Sequence, residues 1–432
     1  MVINRKHLFS PSFFPLRPLE PARAGMVCVR IFFFLLISLS SLGAQDFRYK
    51  HHEGDKYRII STVNEDVYID RRLNHRAEIL NRIAVEIVSV SDGKGMHKAV
   101  FQTSERGVIA DNKAVNAGRS FQWAREYDSE FERDGLGRIT IDRKYYMPVV
   151  RDVPVFPGRE IRPGEKWTYE GHEVHDFREG FGIQEPYRIP FTANYVYIGH
   201  QSWKGKLYPT FSVNYRINST LRGGPPPRGA RIWPVKITAE SDQTVFWDNN
   251  LGQPVAYNEN FRYIFELSNG RVFEYRGKAE AEIVESARMD KEQIAGDIAE
   301  ELRRLDIPEV SVHVVDEGIT ISLDDIRFHP DSAVMLPGEK EKLDKIVDIL
   351  RRYQERDIMV SGHTARAGTE ESSRKLSVER ASVVADYLIE KKARSQERVV
   401  VRGFGSERPV ADNSTEEGRR KNRRVEITIL EN

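Results

Sequence analysis

The sequence predicts a multidomain protein in which a β-rich N-terminal domain, sandwich-like or barrel-like, precedes an α/β sandwich. At 432 residues the chain is longer than one typical hydrophobic core. Between about residues 57 and 285, apolar and polar residues alternate as they do in half-buried strands. After residue 289, helical and strand periodicities alternate, which is typical of helices packed on one sheet.

Residues 1–44 are predicted to be a signal segment. The short apolar run Ile31–Ile37 follows Arg30 and precedes small residues that end at Ala44, as a signal peptidase requires. The run is shorter than the ~20 apolar residues that span a bilayer. We therefore expect cleavage before Gln45. Cys28 is the only cysteine and precedes the run, so the mature chain is expected to lack a lipid anchor, disulfides and thiolate metal sites.

Residues 45–288 are predicted to form a β-rich periplasmic domain. The alternating segment Phe261–Leu267 ends before Asn269-Gly270, which predicts a hairpin with a type I′ turn because that turn needs two positive φ angles. Another turn is predicted at Asp92-Gly93.

Prolines and charged residues interrupt the predicted strands of this domain, so the strands are expected to be short. An outer-membrane barrel needs strands of ~9 to 11 residues with a continuous apolar face. A soluble periplasmic domain is therefore favoured, and a spanning barrel is the alternative.

A connecting helix is predicted over residues 289–306. Asp290 is a good N-cap, and Gln293 stands three positions later, as in a capping box. Apolar residues then recur at helical spacing: Ile294, Ile298, Leu302 and Leu305. We expect a helix over about Lys291 to Leu305.

The last domain, residues 307–432, is predicted to alternate strands and helices. The predicted strands are Val310–Val315, Ile319–Leu323, Ile358–Val360, Val399–Val401 and Val425–Ile429. The predicted helices carry Leu343 to Leu350 and Val383 to Leu388.

Four sequence blocks follow one another near the C-terminus. They are Gly362-His363-Thr364, Leu376–Ala381, Gly403–Pro409 and the stretch Asn413–Ile427, which contains Asn422-Arg423-Arg424. In this order they resemble the OmpA-like domain, the peptidoglycan-binding module of OmpA, the peptidoglycan-associated lipoprotein and the flagellar motor stator. The resemblance covers about residues 296–432 and implies nothing about residues 45–288.

The resemblance implies a ligand and a set of ligand-binding residues. The ligand is the peptide stem of peptidoglycan, whose diaminopimelate presents an ammonium and a carboxylate. An arginine suits the carboxylate because it can pair with both oxygens. The implied site residues are Arg380 and Arg423 as basic contacts, Phe328 and Asp331 in a flanking loop, Thr364, Ala365 and Ser373.

Two of these residues depart from the family pattern. Ala365 stands where the family has the Asp that holds the ammonium, and Ser373 stands where an Asn is common. A charge-assisted pair of this kind contributes ~1.5–3 kcal/mol, so its loss would weaken binding roughly tenfold to a hundredfold. Two interpretations stay open. Arg380 is kept for packing while binding is lost, or binding persists with altered specificity, because Glu370 or Glu371 reaches the ammonium or because the diamino acid of the ligand differs.

Other motifs predict less. The segment His172–Asp176 is expected to be extended, which would direct its two histidines to opposite faces and disfavour a metal site. His51 and His52 are expected to be solvated. With 66 basic and 65 acidic residues the chain has no overall charge to attract nucleic acid, and the basic run Arg419–Arg424 coincides with the fourth family block. No phosphate loop or catalytic triad is recognisable, so neither catalytic residues nor a cofactor is predicted.

The sequence thus predicts an exported, non-enzymatic cell-envelope protein with a structural role at peptidoglycan, and two alternatives stay open. One alternative is an outer-membrane barrel anchored to peptidoglycan. The other is a protein-interaction module that has lost peptidoglycan binding. An envelope protein is a candidate partner for the β-rich domain.

Overall fold

A computed structural model describes residues 43–108, 120–220, 230–285, 289–324, 326, 328–329, 332–336, 338–366 and 368–431. The predicted signal segment lies outside the described residues, apart from Gly43 and Ala44. Asp331 also lies outside them.

The N-terminal domain consists mainly of strands. They are β1 Lys56–Ile69, β2 Arg72–Ser91, β3 Lys94–Val108, β4 Phe121–Arg133, β5 Ile139–Ile141, β6 Val150–Arg151, β7 Lys166–His175, β8 Tyr187–Trp203, β9 Lys206–Thr220, β10 Pro234–Asp248, β11 Gln253–Leu267 and β12 Val272–Glu285. A single helical turn, α1 Arg178–Phe181, separates β7 from β8.

These strands form one antiparallel sheet. Its order is β5–β4–β3–β2–β1–β12–β11–β10–β9–β8–β7–β6. Buried residues from both halves of this order belong to the same hydrophobic core, so the sheet curves around that core. The predicted β-rich domain is confirmed.

The expectation of short strands was wrong. β2 contains 20 residues and β8 contains 17. The charged residues do not interrupt the strands because they occupy the outward face: Arg262 in β11 is exposed between the buried Phe261 and Tyr263. Alternation of this kind is compatible with a strand of any length.

Hairpin turns follow two patterns. Asp92 and Gly93 have φ angles of 51° and 74°, which makes the predicted β2–β3 turn a two-residue type I′ turn. At Asn269-Gly270 the predicted hairpin is present, but its predicted type was wrong. Gly270 has a φ of 82°, its N–H donates to the carbonyl of Leu267 at 2.9 Å, and the loop is longer than two residues. This is the type I turn with a glycine bulge.

The N-terminal strap, residues 45–55, runs along the core before β1 begins. Phe47 is 1% exposed and packs against Phe156 with ring centroids 5.3 Å apart. The N–H of Tyr49 donates to the carbonyl of Gly135 at 2.9 Å. His52 is exposed as predicted, but His51 is partly buried and stacks on Tyr49, so the expectation for His51 was wrong. The strap makes His51 part of the folded domain.

The C-terminal domain contains the remaining elements. They are α2 Lys291–Arg304, β13 Val310–Val315, β14 Gly318–Asp324, α3 Glu339–Leu350, β15 Ile358–His363, α4 Glu370–Glu390, β16 Val399–Gly405, α5 Glu416–Asn422 and β17 Arg424–Leu430. The sheet order is β13–β14–β17–β15–β16, with β15 and β16 parallel. Every element predicted for this domain is confirmed, whereas α5 was not predicted. None of the helices in the described ranges has the length and apolarity of a membrane span.

Helix α2 begins where its capping signal predicts. The carboxylate of Asp290 accepts from the N–H of Gln293 at 3.1 Å. The buried side chains of Ile298 and Leu302, together with Met289, join the C-terminal core. The helix therefore packs on the C-terminal domain and is not an isolated linker.

The two domains share an interface in which backbone pairing and buried charge combine. Strand β4 pairs in parallel with β16, so that Phe121 lies opposite Val400. The Asp357 carboxylate accepts from Arg58 at 2.6 Å and from Arg82 at 3.0 Å. Burial acts to raise the pKa of Asp357, but the charges of Arg82 and Arg58 outweigh it and lower that pKa. The ion pairs therefore persist at neutral pH.

Candidate functional site

The Gly362-His363-Thr364 block ends strand β15 against helix α4. A Cβ atom at Gly362 would lie 2.0 Å from the Ser377 carbonyl oxygen, so this position needs glycine. His363 is 2% exposed, and its ring stacks on Phe404 with centroids 5.2 Å apart. The block thus encodes the contact between strand and helix.

A partly buried carboxylate, that of Glu426 in β17, contacts His363. Nε2 of His363 lies 3.1 Å from Oε2 of Glu426, and Arg424 donates to Oε1 of the same carboxylate at 2.7 Å. Burial would raise the pKa of Glu426, but the hydrogen bond from His363 and the charge of Arg424 bring it down to about 2. Glu426 is therefore ionised, and its contacts with His363 and Arg424 tie it to the fold.

Ala365 lies in the loop that follows β15. The N–H of Thr364 donates to the Gly405 carbonyl at 2.8 Å, and the N–H of Arg366 donates to Oδ1 of Asn413 at 3.0 Å. These bonds fix the backbone on both sides of Ala365, which is 7% exposed. The hydrogen bonds on both sides hold the backbone of residue 365 in place. The methyl group of Ala365 cannot pair with an ammonium group.

Helix α4 presents polar residues toward this loop. The side chain of Thr369 caps the helix by accepting from the N–H of Ser372 at 3.2 Å. The Ser377 hydroxyl accepts from the N–H of Gly405 at 2.9 Å, and Ser373 is buried one turn earlier. Ser373, Ser377 and Arg380 lie on the same face because their spacing is four and three residues. The structure thus brings Thr364, Ser373 and the Gly405 region together.

Arg380 is held at the other end of that face. Its Nε donates to the Ser332 carbonyl at 3.0 Å, and its guanidinium carbon lies 5.1 Å from the centroid of the Phe328 ring. The predicted association of Arg380 with the Phe328 loop is therefore present. Asp331, which was predicted to lie in the same loop, is outside the described residues.

Arg423 is engaged within its own helix region. Its Nη2 lies 2.7 Å from Oε1 of Glu416. The preceding Asn422 is fully buried, and its Oδ1 accepts from the N–H groups of Val410 and Ala411 at 2.7 and 2.9 Å. The asparagine of the Asn-Arg-Arg block, which sequence reasoning did not single out, therefore ties the 410–413 loop to α5.

The two alternative carboxylates stand at the start of α4. Glu370 and Glu371 occupy its first turn and are exposed. Arg366 is exposed in the loop ahead of them. The guanidinium groups of this region suit the carboxylate of a ligand. The exposed carboxylates of Glu370 and Glu371, in the first turn of α4, suit an ammonium group.

The histidine segment of the N-terminal domain has a different environment. Strand β7 makes it extended, as predicted. Nε2 of His175 lies 2.8 Å from Oε2 of Glu173, and the Tyr215 hydroxyl donates to Oε1 of that carboxylate at 2.7 Å. The Tyr263 hydroxyl also donates to Oε1. Glu173 thus anchors a buried hydrogen-bond network in the core.

Comparison with known proteins identifies the C-terminal domain. Residues 327–423 match the model of the OmpA family. The peptidoglycan-binding protein ArfA of Mycobacterium tuberculosis is 38% identical over 104 residues, which are 24% of this chain and 32% of that protein. Outer membrane protein A of Bordetella avium is 37% identical over 106 residues, 24% of this chain and 54% of that protein.

A solved structure gives a similar local match. The cell wall anchor of the type VI secretion system of Pseudomonas aeruginosa is 29% identical, with a TM-score of 0.28, and the match covers 33% of this chain and 100% of that one. No family model matches the N-terminal region. The resemblance predicted from the four sequence blocks is confirmed, and residues 327–423 form an OmpA domain whose relatives include peptidoglycan-binding cell-envelope proteins.

Proposed function

We propose that this chain is an exported, non-enzymatic envelope protein whose OmpA domain faces peptidoglycan and binds the diaminopimelate stem weakly or with altered specificity. The main support is that the predicted site keeps its arginine but lacks its carboxylate. Arg380 is present and positioned by Ser332 and Phe328, whereas Ala365 supplies no carboxylate. A zwitterionic head group would keep its carboxylate contact and lose its ammonium contact.

A second function has an observation in its favour. The contacts of Arg380 with Ser332 and Phe328 stabilise the domain without any ligand. Arg380 can therefore be retained for folding alone. In that case the OmpA domain serves as an interaction module attached to the β-rich domain.

Peptidoglycan sedimentation separates the two functions. The test uses residues 45–432, because the buried contacts of Asp357 join the domains. We expect little wild-type protein to sediment with diaminopimelate-type peptidoglycan, and Ala365→Asp to raise the bound fraction. One restored charge-assisted pair corresponds to roughly a tenfold gain in affinity.

The matched control is Ala365→Asn, which has the same shape as the aspartate but no charge. It should leave the bound fraction at the wild-type level, and thermal unfolding should verify that both variants fold. Strong wild-type binding that Ala365→Asp does not increase would contradict the proposal. Loss of that binding in a Glu370→Gln, Glu371→Gln double variant would then identify the replacement carboxylates. If neither wild type nor Ala365→Asp binds, the interaction module is favoured.

Export is part of the same proposal. Gln45 is already paired in the fold, since its N–H donates to the Ile161 carbonyl at 2.9 Å, and Phe47 is buried two residues later. Cleavage before Gln45 would thus leave the N-terminal strap complete. We expect mass spectrometry of the protein from its native envelope to find Gln45 as the first residue. A mature chain that retains Cys28 or carries an acyl group would contradict this assignment.

A further inference from the structure

A cavity of about 350 Å³ lies in the N-terminal domain, far along the chain from the OmpA site. The N-terminal strap forms one side, and residues of strands β1 to β4 and β10 to β12 contribute to the rest of the wall. Its volume is within the range of sites for small molecules. Because strap residues form part of its wall, the cavity depends on the strap being folded in place.

The walls combine aromatic rings with positive charge. Tyr49, Tyr57 and Tyr257 contribute rings, and the guanidinium carbon of Arg133 lies 4.7 Å from the centroid of the Tyr49 ring. Lys56, which also pairs with Glu86 at 3.4 Å, lines the same cavity, as does the carboxylate of Asp55. Aromatic faces suit the apolar face of a ring compound, while the cations suit an anion.

Three polar atoms inside this region have no hydrogen-bond partner in the described part of the chain. They are Nε of Arg133, Oε1 of Gln243 and Nε2 of His51. Gln243 is 3% exposed, and its Nε2 is already used in a bond to Ser241 at 2.8 Å. Buried polar groups without partners are costly, so a ligand that forms hydrogen bonds with these atoms would gain affinity from them.

The donor and acceptor character of these atoms defines the ligand. Nε of Arg133 is a cationic donor and requires an acceptor, whereas Oε1 of Gln243 requires a donor. Within the described ranges Arg133 forms no ion pair with a carboxylate, and its guanidinium group contacts the Tyr57 hydroxyl. A ligand that satisfies both groups carries an anionic oxygen and a hydroxyl or amide N–H.

His51 adds a fixed acceptor. Its ring is confined because a Cβ atom at Gly95 would lie 2.7 Å from Cγ of His51, and the His97 ring is perpendicular to it at 5.2 Å. Burial, aided by the charge of Arg133, lowers the pKa of His51, so its imidazole is neutral at pH 7. A neutral imidazole has one donor and one acceptor nitrogen, so the unpartnered Nε2 accepts a hydrogen bond in the tautomer protonated at Nδ1.

We propose that this cavity binds a small hydroxylated ring compound that carries a carboxylate, such as a sugar acid. Arg133 pairs with the carboxylate, Gln243 and His51 accept from hydroxyl or amide groups, and the tyrosine rings cover the apolar face of the ring. The site belongs to the N-terminal domain alone and does not depend on whether the OmpA domain binds peptidoglycan.

Titration calorimetry of the mature chain, residues 45–432, tests the proposal with two matched pairs of probes. N-acetylmuramic acid is compared with N-acetylglucosamine, and glucuronate with glucose. In each pair only the first compound has a carboxylate. We expect at least one acid to bind with saturation below about 10 mM and at least about tenfold more tightly than its neutral counterpart.

Variants assign the binding to the cavity. Arg133→Gln should lower the affinity for the acid about tenfold or more, to the level of the neutral sugar. Lys56→Glu changes an exposed residue, so it tests the charge requirement even if Arg133→Gln fails to fold. Arg138→Gln is the control, since Arg138 is exposed and bound to Tyr169 outside the cavity.

Two outcomes would overturn the proposal. One is that neither acid binds more tightly than its neutral partner. The other is that acid binding is unchanged in both Arg133→Gln and Lys56→Glu. Because these probes lack a peptide stem and the variants lie outside the OmpA domain, the result is independent of the sedimentation test.

Discussion

At the scale of single residues, some functional features can be recognised in the sequence, whereas others become visible only in the folded structure. Ala365 is recognisable as a departure because it sits inside a family block. His97 carries no such signal, yet it is 1% exposed, and its ring lies parallel to Phe131 at 5.0 Å. Its burial depends on pairing between distant strands, so only the structure could reveal its unusual environment.

Burial of His97 should make stability depend on pH. Desolvation, aided by the charge of Arg133, lowers the pKa of His97 from 6.5 to about 3. Between those values the unfolded chain binds a proton that the folded chain does not. This group therefore contributes full stability above pH 6.5, and the contribution falls by ~1.4 kcal/mol per pH unit as the pH decreases toward 3.

Chemical denaturation across pH 4 to 7 measures this dependence. His97→Asn keeps a donor for the Gly95 carbonyl, which accepts from His97 at 2.8 Å, but cannot titrate. Its stability should decline less steeply with falling pH than that of the wild type. The exposed His52, changed to Asn, is the matched control. Equal slopes for wild type and His97→Asn would show that His97 does not stay neutral on folding.

At the scale of elements, the C-terminal domain was predictable because its signals are local. The N-cap Asp290 and the apolar spacing after it determine α2 without reference to the rest of the chain. The length of the N-terminal strands was not predictable in this way. Whether a charge such as Arg262 ends a strand or lies on its outer face depends on which neighbouring strands cover it.

Packing between β15 and α4 yields a prediction at this scale. A Cβ atom at Gly362 would lie 2.0 Å from the Ser377 carbonyl oxygen, so strand and helix must separate in Gly362→Ala. We expect the free energy of unfolding to decrease by ~1–3 kcal/mol, as in other overpacked cores. Thermal or denaturant unfolding measures it.

Gly296→Ala is the matched control because Gly296 lies inside α2, where an added Cβ atom would have no neighbour within 4 Å. Alanine there should increase stability by up to ~1 kcal/mol through helix propensity. The two substitutions add the same methyl group and should act in opposite directions. A neutral Gly362→Ala would mean that helix α4 does not approach β15 this closely.

At the scale of the whole molecule, the interface between the domains and the cavity both lie beyond sequence reasoning. Arg58 and Arg82 are unremarkable charged residues, which lie 299 and 275 positions before Asp357 in the chain. The cavity likewise assembles the N-terminal strap with β10 and β11. Family resemblance covers only the second domain and could not supply these contacts.

Removing the central carboxylate should weaken the interface. Asp357→Asn leaves two buried guanidinium groups without their ionic partner, a change that typically costs ~3–5 kcal/mol. We expect the variant to unfold at a lower temperature than the wild type. Asp348→Asn is the control, since that carboxylate is 71% exposed in its pair with Arg351 and should contribute under ~1 kcal/mol. Unchanged stability of Asp357→Asn would exclude a stabilising role for this cluster of buried charges.

The pairing of β4 with β16 has a mechanical consequence. If only a flexible linker joined the two domains, their distance and relative orientation would vary. Here β4 of one sheet pairs with β16 of the other, and Asp357 accepts from arginines of β1 and β2. The two domains would therefore move together as one rigid unit, so that groups bound to them would keep a fixed distance and orientation relative to each other.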